Sequence, residues 1–122
     1  MAEHYSSFDR GNARWFLQRI TAVFLIGVLA FHFMLMHFVN HAAEITFMGT
    51  QARMSQVGYL GTMVAFLVTA TFHGVNGVYN ALINQGLDGT QKQAVKWVLV
   101  IAAVVLIAQG TRTALYMAGI MA

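Results

Sequence analysis

Cysteine is absent from the chain, and that one absence excludes disulfides, thiolate nucleophiles, iron–sulfur ligation and thiolate zinc sites. Any metal or metal cofactor has to be held by histidine, methionine or oxygen. Proline is absent as well, so nothing forces a helix to break or kink at a missing amide. Charge is the third scarcity: charged residues make up 9% of the chain and only four of them are acidic, whereas soluble domains carry about 25% charged residues. Hydrophobic residues supply 58% of the 122 positions. A domain this small exposes too much of its area to hide such a composition from water, so lipid must do the covering. The formal net charge is +3, but seven basic residues spread thinly along an apolar chain form no patch, and there is no case for a nucleic-acid partner.

The apolar residues fall into three runs. Residues 15–40 are almost wholly apolar, interrupted by Gln18, Arg19 and histidines, and the run exceeds the roughly 20 residues that a bilayer-spanning helix needs. Residues 41–56 are polar and carry Glu44, Gln51 and Arg53. The second run, 57–83, has no Asp, Glu, Lys or Arg. Residues 84–93, with Gly86, Asp88 and Gly89, read as a turn, and 94–118 form the third run. The expected fold is therefore an all-α membrane protein of three transmembrane helices in a single domain, 1–122. Short cytoplasmic loops collect Lys and Arg. Arg10, Arg14, Arg19, Lys92 and Lys96 fall on one side against Arg53 and Arg112 on the other, which predicts a cytoplasmic N-terminus and an outside C-terminus. Residues 1–12, polar and carrying Glu3 and Asp9, do not read as a cleaved secretory signal. Three spans without an internal repeat are too few for a transporter of two inverted halves, and a partner subunit is expected.

Polar groups inside spans are expensive and face protein by default. In the second span Thr69, His73, Asn76, Asn80 and Asn84 follow at steps of three or four and share one stripe. Ala70, Gly74, Gly77 and Ala81 lie beside it, a strip of small residues that lets another backbone or a flat ligand approach. One reading is a small-residue helix–helix interface with a hydrogen-bonding histidine. The other is a haem site, with one imidazole as axial ligand and the glycines as room for the porphyrin.

The first span carries His32 and His37, with His41 just beyond. At about 100° per residue His32 and His37 point roughly 140° apart and cannot face the same partner. His37 and His41, four apart, share a face near the membrane surface, where an amphipathic ring needs no further explanation. His32 lies deeper. His37, however, is eighteen residues after Arg19 and on its face. Arg19 either snorkels to the interface or pairs with a carboxylate; Arg112, on one face with Gln109, Thr113 and Tyr116, has the same two readings. The methionines read as apolar filler. No intramembrane carboxylate supports a pump, a channel or a di-iron centre.

Two segments resemble the membrane anchor subunits of succinate dehydrogenase and the related quinol:fumarate reductases. Phe16-Leu-Gln-Arg-Ile-Thr-Ala-Val23 leading to Phe31-His32 looks like the family's helix opening L-x-R-x-T-(G/A), with a haem-ligating His some thirteen residues after the Arg. Phe72-His73-Gly-Val-Asn-Gly77-Val-Tyr79 looks like its His-x-x-x-Gly segment, where the His is an axial haem b ligand and the Gly admits the porphyrin. The third span and both loops add little. The resemblance implies half of a six-helix bundle formed with a second anchor subunit in the cytoplasmic membrane. A flavoprotein oxidising succinate and an iron–sulfur subunit would dock on it, with haem b and quinone within the bundle. The chain alone would not be an enzyme.

His73 and His32 would be axial ligands of two haems shared with the partner anchor, His73 nearer the cytoplasm, with His37 as the alternative to His32. Arg19 and Asn84 would lie near the quinone. The sequence departs from the family in one place: some members carry an Asp-Tyr pair at the inner end of this helix, where here Asn84-Gln85 stands. The competing class is a haem-free structural anchor.

Overall fold

A computed structural model describes residues 13–121; residues 1–12, with Arg10 and the polar lead-in, and residue 122 lie outside the described residues. Helix α1 spans Ala13–Met34 and runs on through a π turn, Leu35–Val39. A 3₁₀ turn at Ala42–Glu44 follows, then α2, Phe47–Met54, α3, Val57–Asn84, and α4, Gly89–Met117. Three stretches, Ala13–Val39, Val57–Asn84 and Gly89–Met117, are long and apolar enough to cross a membrane. At 1.5 Å per residue each is about 40 Å long, against roughly 30 Å of hydrocarbon. In lipid a backbone must satisfy its own amides, and continuous helices do that.

The side chains confirm which solvent these helices suit. Val23 is 72% exposed and Ile26 70%, and among the described residues the buried set is Met54, Thr71 and Asn76. Apolar surface faces outward along all three spans, while polar Thr71 and Asn76 lie inside. Thr71 bonds back to the Leu67 carbonyl at 2.8 Å, so its hydroxyl is satisfied within its own helix.

Helix α3 is the centre, packed on α1 and on α4. It comes close to α4 where Gly110 meets Leu67: a Cβ on residue 110 would lie 2.5 Å from a Leu67 methyl. The Gly110→Leu variant is therefore expected to push α3 and α4 apart at a cost of about 1–3 kcal/mol, although leucine is the better helix former. A lowered thermal midpoint of the purified protein in detergent checks this; an unchanged midpoint contradicts it.

The α3–α4 turn is tight. Gly86, at φ +94°, sits just past the end of α3; its N–H bonds to Ile83 O at 2.9 Å and the Leu87 N–H to Leu82 O at 3.2 Å. That pair of bonds is the Schellman motif, which needs a left-handed residue at this position. Gly119, at φ +75°, ends α4 in the same way, with bonds to Tyr116 O and from Ile120 to Leu115 O. The turn thus occupies only residues 85–88, and the expected 84–93 turn is too long. Residues 89–93 are polar because they form the interfacial start of α4.

Two further features depart from expectation. The 41–56 stretch contains α2, capped by the Thr46 hydroxyl accepting from Gly49 N–H at 3.1 Å and packed on α3 and α4. The end of the first span is also irregular. Asn40 N–H bonds to Leu35 O at 3.0 Å, the wider i to i+5 spacing of a π turn, and His41 has φ +47°. His37 and His41 therefore do not share a helical face. The uniform step that sets His32 and His37 about 140° apart, and His37 beneath Arg19, does not hold beyond Met34.

Candidate functional site

His73 lies midway along α3, half-buried against α1. Its Nδ1 is 3.0 Å from Thr21 Oγ1. One turn away, Gln18 holds both sides of the same segment: its Nε2 donates to the His73 carbonyl at 3.2 Å, and its Oε1 accepts from Asn76 Nδ2 at 2.8 Å. Residues 18 and 21 on α1 thus meet 76 and 73 on α3 in opposite chain order, so the two helices are antiparallel. Asn76 is 8% exposed, and a buried amide without a partner costs about 1–3 kcal/mol.

Gln18→Leu removes that acceptor and is expected to lower stability by about this amount. Combined with Asn76→Leu it is expected to cost less than the sum of the two single changes, because no donor is then left unpaired. Thermal unfolding of the four proteins of this cycle measures the difference; strict additivity contradicts the contact.

The two glycines flanking this segment differ. A Cβ at Gly77 would stand 3.3 Å from Gln18 Nε2, so Gly77 serves the close approach of α1. Beside Gly74 nothing lies within 4 Å, and this flank of His73 is open. Of the two glycines, Gly74 has no neighbour within 4 Å and Gly77 lies against α1.

His32 is half-buried on α1, and its Nδ1 is shut off from solvent with no hydrogen-bond partner. It lies eleven residues, about 16 Å, beyond Thr21. His37 differs: it is exposed, its ring stacks on Phe33 with centroids 4.2 Å apart, and its Nδ1 pairs with the Phe33 carbonyl at 3.1 Å. Of these two rings, His32 is the one whose polar requirement is unmet within the described residues. No group of three or more His, Asp or Glu side chains capable of holding a bare metal ion occurs among the described residues. A metal here needs further donors, such as those of a porphyrin and a partner chain.

Toward the start of α1 and the end of α3 is a recess of about 370 Å³ lined by Trp15, Gln18, Arg19, Gly77, Asn80, Ala81 and Asn84. The Arg19 guanidinium lies over the Trp15 ring, 4.9 Å from its centroid, within cation–π range. Trp15 Nε1 is buried with no hydrogen-bond partner. The recess thus gathers Arg19 and Asn84, expected from sequence, with Trp15 and Asn80. Trp15 and Arg19, four apart, share a helical face, but that this face meets Asn80 and Asn84 is set only where α1 crosses α3.

A second, apolar recess of about 450 Å³ lies between α3 and α4, with Arg14 and Lys96 among its lining residues. The cations at the start of α1 and of α4 therefore gather at one end of the bundle. At the other end of α4, Gln109, Arg112, Thr113 and Tyr116 line one recess, as their common face predicts.

Comparison with known proteins gives one result. The family model described as succinate dehydrogenase/fumarate reductase transmembrane subunit matches residues 3–111. No curated protein and no solved structure matches the chain.

Proposed function

We propose, from the premise that this chain belongs to the succinate dehydrogenase/fumarate reductase transmembrane subunit family, that it is the haem b-binding anchor of a succinate:quinone oxidoreductase. It tethers the flavoprotein and iron–sulfur subunits and pairs with a second anchor to complete a six-helix bundle. The observation that carries this reading is His73, an imidazole deep in an apolar helix, held at Nδ1 by Thr21 and open on its Gly74 side. The residues fit an iron porphyrin. His73 offers an imidazole nitrogen, Gly74 has open space beside it, and His32 offers a second imidazole whose ring makes no hydrogen bond through Nδ1.

When bound, haem b supplies a one-electron relay; the protein supplies ligation, position and dielectric. His73 would hold the haem nearer the cytoplasm and His32 the other, with the partner anchor completing each site. Thr21 and Gln18 fix the His73 segment against α1. The recess of Trp15, Arg19, Asn80 and Asn84 brings guanidinium and amide groups to one end of the bundle, chemistry suited to a quinone carbonyl or a haem propionate. Its place at the end where Arg14 and Lys96 gather supports a cytoplasmic position for that end by the positive-inside rule, with the end of α4 outside; the cell membrane is part of the same reading.

The His73–Thr21 contact and the Gln18 clamp also suit a haem-free tether, in which the same groups serve only to pack α1 on α3. A reduced-minus-oxidised visible spectrum of the purified complex separates the two. The haem anchor shows b-type bands, and a bare tether shows none.

A further inference from the structure

We propose that Thr21 is a positioning residue that fixes the protonation form of the His73 ring, placing the proton on Nδ1 and leaving Nε2 as the bare ligand atom, a role that rests on the haem reading above. A threonine hydroxyl has one proton to give and two lone pairs to receive. Three groups lie within reach of Thr21 Oγ1: the Leu17 carbonyl at 2.7 Å, the Gln18 carbonyl at 3.1 Å and His73 Nδ1 at 3.0 Å. Both carbonyls can only accept, and the shorter bond, to Leu17, takes the hydroxyl proton. With that proton spent, the contact with Nδ1 is a hydrogen bond only if Nδ1 donates. A neutral imidazole protonated on Nδ1 has its free lone pair on Nε2, the form a metal requires. The opposite tautomer would put a proton on the ligand atom and would require the Thr21 hydroxyl to turn away from the Leu17 carbonyl, giving up its shortest bond.

The contact also acts on the iron. An acceptor drawing on Nδ1–H raises the electron density at Nε2 and favours the ferric state, so the midpoint potential of this haem is lower with Thr21 than without it. Gln18, bonded to the His73 carbonyl, keeps the backbone in register, so the ring is fixed at both its main chain and its Nδ1.

Three substitutions in the assembled complex test this by redox titration, electron paramagnetic resonance and haem content. Thr21→Val keeps the shape and loses the acceptor, Thr21→Ala loses both, and Thr21→Ser keeps the hydroxyl. Valine and alanine are each expected to raise the midpoint potential of one b haem, shift its ferric resonance and weaken haem retention by about tenfold; serine is expected to match the unaltered protein. If valine and alanine prevent assembly, serine decides: an assembled serine variant with unaltered potential supports the role, and its failure to assemble overturns it. Valine or alanine variants with unchanged potential and haem content overturn the role of Thr21 and leave the haem reading standing. Absence of b-type bands from the unaltered complex overturns both.

Discussion

Replacing His73 by alanine is expected to remove one of two b haems from the assembled complex. The imidazole is the best haem ligand on that stretch of α3: Thr71, Thr69 and the stripe asparagines offer only neutral oxygen or amide donors, poor partners for haem iron, and Tyr79 lines the recess toward α4 instead. The loss has a distinctive pattern. In the proposed complex the flavoprotein and iron–sulfur subunits would dock outside the lipid, so oxidation of succinate by a water-soluble dye is expected to persist while the haem signal falls. Haem content against flavin content, measured on the purified complex, checks this. Retention of both haems contradicts ligation by His73, and loss of every subunit from the membrane points to a purely structural role.

His32→Ala is expected to remove the other haem, and His37→Ala to remove neither. The difference lies in what each ring already has. His37 is exposed, stacked on Phe33 and bonded to the Phe33 carbonyl, so its polar requirement is met by its own helix. His32 is half-buried and its Nδ1 makes no hydrogen bond, so its ring is not committed to its own backbone as that of His37 is. Haem counts on the two variants, with the midpoint potential of whatever haem remains, decide between them. One haem after His37→Ala and two after His32→Ala would reverse the assignment.

Both histidine predictions depend on residues that stand out in one dimension. The three spans are legible because each is a long apolar run, and a run of that length has few alternatives to a membrane helix. The polar stripe of α3 is legible for the same reason: His73, Asn76, Asn80 and Asn84 interrupt an otherwise apolar helix at helical spacing. Pairing across helices is not legible in this way. Gln18 and Thr21, like His73 and Asn76, are three apart, but that Gln18 meets Asn76 and Thr21 meets His73 follows from how α1 leans on α3. Gly77 illustrates the gap. The family resemblance makes Gly77 the glycine that admits the porphyrin, and only the structure shows the Gln18 amide lying against it.

Boundaries failed where polarity was equated with loop. Residues 89–93 and 47–54 are polar or mixed and nonetheless helical, the first because a helix can begin in the interface and the second because Thr46 caps it. A threonine followed three residues later by the bonded Gly49 N–H is a readable cap signal, but the mixed composition of α2 hides it. The π turn at Leu35–Val39 has no signature in the sequence, and it undoes angular arguments about His37 and His41 that assume an even helix.

The claim on which the account turns is that imidazole from this chain binds haem iron inside the membrane. Near-infrared magnetic circular dichroism of the oxidised complex reads axial ligands directly. The predicted result is the charge-transfer signature of haem held by two imidazoles, diminished by His73→Ala; a histidine–methionine signature, or a complex free of haem, contradicts it.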